Sequence, residues 1–86
     1  MSLDQLRYFV VVAEEENITR AASRLFVSQP PLSRQIRALE EELGTALFKR
    51  RHNGLKLLPA GRRLLKQARV ILTAVDRLKG TVRDQR

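Results

Sequence analysis

The sequence predicts a mainly α-helical fold with one small β-hairpin, and three observations point there. Apolar residues recur at intervals of three and four through most of the chain. Two adjacent prolines, Pro30 and Pro31, stand just ahead of one such stripe. Asn53-Gly54 separates two short runs that are apolar and basic. The first pattern asks for helices, the second marks where one of them begins, and the third marks a hairpin turn.

The elements follow in order. Leu3, Leu6, Phe9, Val10 and Ala13 share one helical face, which predicts a first helix over about 2–15. Asn17 suits the N-cap of a second, because its amide oxygen can accept a hydrogen bond from an unpaired backbone N–H. Ile18, Ala21, Ala22 and Leu25 form that helix's apolar stripe, and the alanine pair lets another backbone approach. A connection of three residues, "FVS", leads to a third stripe at Leu32, Ile36, Leu39 and Leu43, stopped by Gly44. Pro30 and Pro31 fit the first turn there, where a missing N–H costs little and a fixed φ helps. Strands over about 47–50 and 55–58 then flank Asn53-Gly54, where both turn positions call for positive φ. A last helix starts at Pro59 and runs to about Val82, roughly 36 Å at 1.5 Å per residue. The final "GTVRDQR" has the character of a linker or chain end.

At 86 residues the chain is a single domain close to the lower size for a self-sufficient core. With 43% hydrophobic residues it is set to fold despite 30% charged residues. It has no cysteine, which rules out disulfides and thiolate metal sites and fits a reducing, cytoplasmic setting. Neither a signal peptide nor a membrane-spanning run is visible. The net charge of +8 is unevenly spread: residues 1–46 hold five basic and seven acidic side chains, whereas 47–86 hold twelve and two. Such a field suits a polyanion, either nucleic acid or an anionic membrane surface.

Two short helices joined by a tight turn make a helix-turn-helix, and the hairpin adds a wing. Opposite the third helix's apolar stripe lie Pro30, Arg34 and Arg37, with Ser33 at the edge and Gln29 projecting from the helix start. A helix with such a face fits the DNA major groove and leads with its N-terminal residues. Arg34 can donate two hydrogen bonds to guanine, Gln29 can pair with adenine, and Pro30 suits a thymine methyl. Ser33 can serve a base or a phosphate. Solvated arginines are the common alternative on a helix's outer face, and the basic hairpin weighs against it here. Ser28, as N-cap ahead of two prolines, keeps a hydroxyl free for a phosphate.

Arg50, Arg51, His52 and Lys56 form or flank the wing and can grip phosphates or the neighbouring minor groove; a charged strand edge against aggregation is the alternative. His52 is the single histidine, too little for a metal site. Glu14–Glu16 and Glu40–Glu42 are expected to be solvated helix ends, with Glu41 in reach of Arg37. In the last helix Leu64, Ala68, Ile71, Val75, Leu78 and Val82 make a heptad seam, widened by Leu65 and Leu72. That seam pairs two subunits or folds back on its own domain, and the widened face has room for both, one flank packing inward and the other outward.

The same residues carry a resemblance. "AASRLFVSQPPLSRQIRALEEELGTALFKR" followed by "LPAGRRLL" is similar to the N-terminal DNA-binding domain of LysR-type bacterial transcriptional regulators, over about Leu3 to Ile71. The resemblance implies a winged helix-turn-helix over 1–58, a linker helix over 59–86 that pairs two subunits, and a separate C-terminal effector domain that these residues do not include. It gives base-reading roles to Gln29, Pro30, Ser33 and Arg34, and backbone or wing contacts to Thr19, Ser28, Arg50 and Arg51. Where that family usually has Thr before "PAG", this chain has Leu58, which removes a side-chain cap. "SQPPLSRQI" is similar to the branch that controls aromatic-acid catabolism.

The expected activity is therefore sequence-specific binding of double-stranded DNA by a homodimer on an interrupted inverted repeat, with dimer or tetramer open for the longer protein. No cofactor is expected in these residues, and a small-molecule effector only at the C-terminal domain. A membrane-surface module is the first rival; residues 59–86 lack the aromatic anchors it would use. An enzyme is the second, and no clustered nucleophile, base or metal ligand set supports one.

Overall fold

A computed structural model describes residues 1–83 as α1 (Leu3–Glu15), α2 (Ile18–Leu25), α3 (Gln29–Leu43), β1 (Phe48–Arg51), β2 (Gly54–Leu57) and α4 (Pro59–Arg83). Each helix start has a local cause. The Ser2 hydroxyl accepts from the Gln5 N–H at 3.0 Å, so Ser2 caps α1 and the helix begins one residue later than the sequence suggests. Asn17 caps α2 by accepting from the Arg20 N–H at 2.9 Å. Ser28 occupies the N-cap of α3 with no side-chain hydrogen bond, because the next positions that would donate are Pro30 and Pro31. Gly44, at φ 69°, ends α3 in the left-handed conformation.

The core lies where α1, α2, α3 and the base of the hairpin meet. Phe9, Val12, Ala21, Ala22, Leu32, Ile36, Leu39, Leu47 and Phe48 are buried together, and each large side chain contributes about 1.5–3 kcal/mol by leaving water. The rings of Phe9 and Phe48 stand 5.5 Å apart and tilted, so α1 and β1 share one contact. Buried Gln5 donates from Nε2 to the Gln35 carbonyl and to Gln35 Oε1, both at 3.2 Å, and ties α1 to α3.

The antiparallel hairpin differs from the sequence expectation by one residue. Arg51 pairs with Gly54, so its tip is His52-Asn53, and neither tip residue has positive φ. The reason is tertiary. The Glu16 carbonyl accepts from the Leu55 N–H at 2.9 Å, and a Cβ on Gly54 would lie 2.6 Å from that oxygen. This contact fixes Gly54 as the first residue of β2, at φ 142°, instead of the second turn residue. Strand-like pairing continues past the hairpin's base, where the Leu58 N–H reaches the Leu47 carbonyl at 2.9 Å.

α4 continues to Arg83, so 80–83 are helical where a linker was expected, and residues 84–86 lie outside the described residues. The helix starts without a side-chain cap from Leu58; the Leu58 carbonyl accepts from the Arg62 N–H at 2.9 Å instead. Its first half packs on the body: Gly61 and Ala68 are buried, and Leu64 and Leu65 lean on the core. Its second half projects, which gives the molecule extents of 53 × 26 × 18 Å.

Candidate nucleic-acid interface

The start of α3 is an exposed, unblocked helix end. Gln29, Pro30, Arg34 and Arg37 are solvent-exposed, while Leu32, Ile36 and Leu39 turn into the core. The first turn carries no acidic side chain, so nothing within it offsets the positive end of the helix dipole. Ser33 is half-buried and lines a narrow crevice with Ile18, Ile36, Phe48 and Arg50. Thr19, Arg50, Arg51 and His52 line an open cleft of about 390 Å³ between the start of α2 and the hairpin tip. Arg50 borders both spaces, so α2, α3 and the wing present one continuous surface. Lys56 borders neither; it pairs across the strands with Lys49, an exposed lysine the sequence reading did not single out.

The cations divide by location. On α1 and α2, Arg7 meets Asp4, Arg20 meets Glu15, and Arg24 meets Glu14 and Glu15. Among the described residues, Arg34 and Arg37 on α3 and Lys49, Arg50, Arg51 and Lys56 on the wing have no acidic partner within 4.0 Å, Glu41 included. Acidic groups thus neutralise one side of the domain and leave the α3–wing side positive.

A sequence profile described as a bacterial regulatory helix-turn-helix protein of the lysR family matches residues 3–62. The chain belongs to the LysR family. Members are transcriptional regulators, not enzymes. The chain is 52% identical over 81 residues to the HTH-type transcriptional regulator ClcR of Pseudomonas putida, covering 92% of this chain and 28% of ClcR. It is 48% identical over 83 residues to a probable cat1 operon transcriptional activator of Acinetobacter lwoffii, covering 96% of this chain and 27% of that protein. Its fold is similar to the CbnR DNA-binding domain in complex with DNA, at TM-score 0.92 and 47% identity over 96% of this chain and 95% of that one. It matches the BenM DNA-binding domain bound to catB site 1 DNA equally well, at 0.92 and 44% over 96% and 93%. This LysR-family chain therefore spans under a third of the length of ClcR and the cat1 activator.

Within this LysR-family domain Glu41 is solvated as expected, whereas the other acidic residues at these helix ends are ties. Glu14 accepts from Arg24 at 2.9 Å and from Arg69 of α4 at 2.8 Å. The hydrogen bonds from Arg69 and Arg24 hold its carboxyl below the usual carboxylate range. Glu40 accepts from the Leu47 and Phe48 N–H groups at 2.7 and 3.3 Å, and Glu42 meets the Met1 amino group at 2.8 Å. No local pattern signals the roles of Glu14, Glu40 and Glu42, because their partners lie seven or more residues away. The α4 seam is partly covered by its own domain, as the fold-back alternative expects for one flank. Ala68 is fully buried in its own domain and Leu64 is half-buried against the core, so the seam's first two positions face inward. Leu72 and Val75 are half-buried. Ile71, Leu78 and Val82 are exposed by 42%, 63% and 65%. Among the described residues no helix is long and apolar enough to cross a membrane.

Proposed function

We propose that this chain is the sequence-specific, double-stranded-DNA-binding part of a longer LysR-type regulator of the bacterial cytoplasm. Residues 1–58 act as the winged helix-turn-helix and α4 as the linker helix. The observation that carries the reading is the division of charge: among the described residues the cations of α3 and the wing lack acidic partners, whereas those of α1 and α2 are paired. The DNA complexes of the similar CbnR and BenM domains support it. α3 enters the major groove with Gln29, Pro30, Ser33 and Arg34 toward base edges. Thr19, Ser28, Arg37, Arg50, Arg51, His52 and Lys56 face phosphates or the adjacent minor groove. Phosphate contacts supply most of the affinity, and base contacts most of the discrimination.

Two substitutions separate these roles on a duplex selected from a randomised library. Arg34→Ala should cost about 1–3 kcal/mol and relax preference at one base pair. Arg51→Ala should weaken all sequences alike and make the salt slope shallower by about 1. An equal loss on every duplex for Arg34→Ala would remove it from the base-reading set.

The domain acts as a homodimer on an interrupted inverted repeat, since a two-fold protein matches a two-fold site. Ile71, Leu78 and Val82 form the partner-facing stripe of α4, extended by exposed Ala74, while Leu64 and Ala68 brace the monomer. Leu78→Arg should convert the dimer to a monomer in sedimentation without lowering the melting temperature of the monomer fold; a persistent dimer would place the interface elsewhere. The effector and its C-terminal domain belong to the remaining length of the regulator, and no cofactor is assigned to these residues.

A further inference from the structure

Glu16 is an unusual residue for its position. It closes α1 at φ 49°, ψ 34°, a left-handed conformation that glycine or asparagine adopts with less strain. Its side chain is not needed for the core, since the residue is exposed. What the side chain does is reach the wing: Oε2 accepts from the Leu57 N–H at 2.8 Å, while the Glu16 carbonyl accepts from the Leu55 N–H at 2.9 Å. Leu55 and Leu57 are alternate residues of β2, so their N–H groups point the same way, toward α1. One residue thereby supplies two acceptors to the free edge of a two-stranded sheet, as a third strand would. An isolated two-stranded hairpin is marginal in water, so its orientation depends on such outside contacts.

We propose that the Glu16 carboxylate is a positioning residue for DNA binding, holding the wing at the angle from which Arg50, Arg51 and His52 reach the duplex. The proposal rests on the DNA-binding reading above. Electrostatics and geometry predict opposite signs here, which makes it decidable. Removing a carboxylate close to a basic wing raises the local positive charge and by itself strengthens DNA binding. Only a loss of wing geometry can weaken it. Glu16→Gly removes the carboxylate half of the clamp, keeps the carbonyl that accepts from Leu55, and relieves the left-handed strain, so the fold is retained. Glu16→Gln removes the same charge but keeps an acceptor oxygen at the same reach.

The test compares both variants with the unaltered chain on a duplex selected from a randomised library. Glu16→Gly should melt at or above the original temperature, yet bind roughly three- to tenfold more weakly, with a salt slope shallower by about one to two. Its Leu57 N–H should lose protection in hydrogen exchange. Glu16→Gln should bind as tightly as the original or more tightly, and keep that protection. Unchanged or stronger binding by Glu16→Gly, whatever the Leu57 exchange, overturns the positioning role while leaving DNA binding intact. Failure of the unaltered chain to bind any duplex at low salt overturns the DNA-binding reading itself, and this proposal with it.

Discussion

Gly61→Ala is expected to destabilise the chain by about 2–3 kcal/mol, whereas Gly80→Ala in the same helix is expected to stabilise it by up to about 1 kcal/mol. The two sites differ in what an added methyl meets. At Gly61 a Cβ would stand 2.4 Å from the Leu47 carbonyl oxygen and 2.4 Å from Leu57 Cδ1. Leu57 can rotate away, but the Leu47 oxygen cannot, because it accepts the Leu58 N–H at 2.9 Å and belongs to the base of the wing. The helix must therefore pivot off the hairpin, and that outweighs the gain in helix propensity of about 1 kcal/mol. At Gly80 nothing lies within 4 Å, so only the propensity gain remains. Urea denaturation of both variants checks the pair. A stable Gly61→Ala would mean that α4 does not seat on the wing as described.

The larger loss is expected from Phe9→Ala, about 3–5 kcal/mol. A domain of this size has about 4–13 kcal/mol in total at the usual stability per residue, so one ring decides whether much of the population is folded. Phe9 is fully buried and touches the Phe48 ring, so its removal opens a cavity between α1 and the first strand of the wing. Phe9→Leu, which refills most of that volume, should recover more than half of the loss. Thermal melts of the two variants distinguish this from a general sensitivity at the position: equal losses would indicate that the ring–ring contact, and not the volume, is what matters.

Much of the candidate interface was legible along the chain because its signals are local. Pro30 and Pro31 mark the start of α3, the stripe Leu32, Ile36 and Leu39 marks its buried face, and the opposite side then has to carry Arg34 and Arg37. The wing's basic tip follows from Arg50, Arg51 and His52 flanking a turn signal. The turn itself moved by one residue, because Glu16 claims the Leu55 N–H and leaves no room for a side chain at position 54. The acidic clusters looked idle for the same reason: their partners are distant in sequence, such as Arg69 for Glu14 and Leu57 for Glu16.

Local residue patterns were enough for the four helices, the hairpin between the third and fourth, and the polar face of α3, since each depends on residues within a few positions of one another. Which acids neutralise which arginines follows from how the helices pack, and among the described residues the α3 and wing cations are left without an acidic partner. That tertiary packing also decided which half of the α4 seam is covered. A heptad pattern records that a helix has an apolar face, but the position of the body beneath it determines that Leu64 and Ala68 are covered while Leu78 and Val82 stay open.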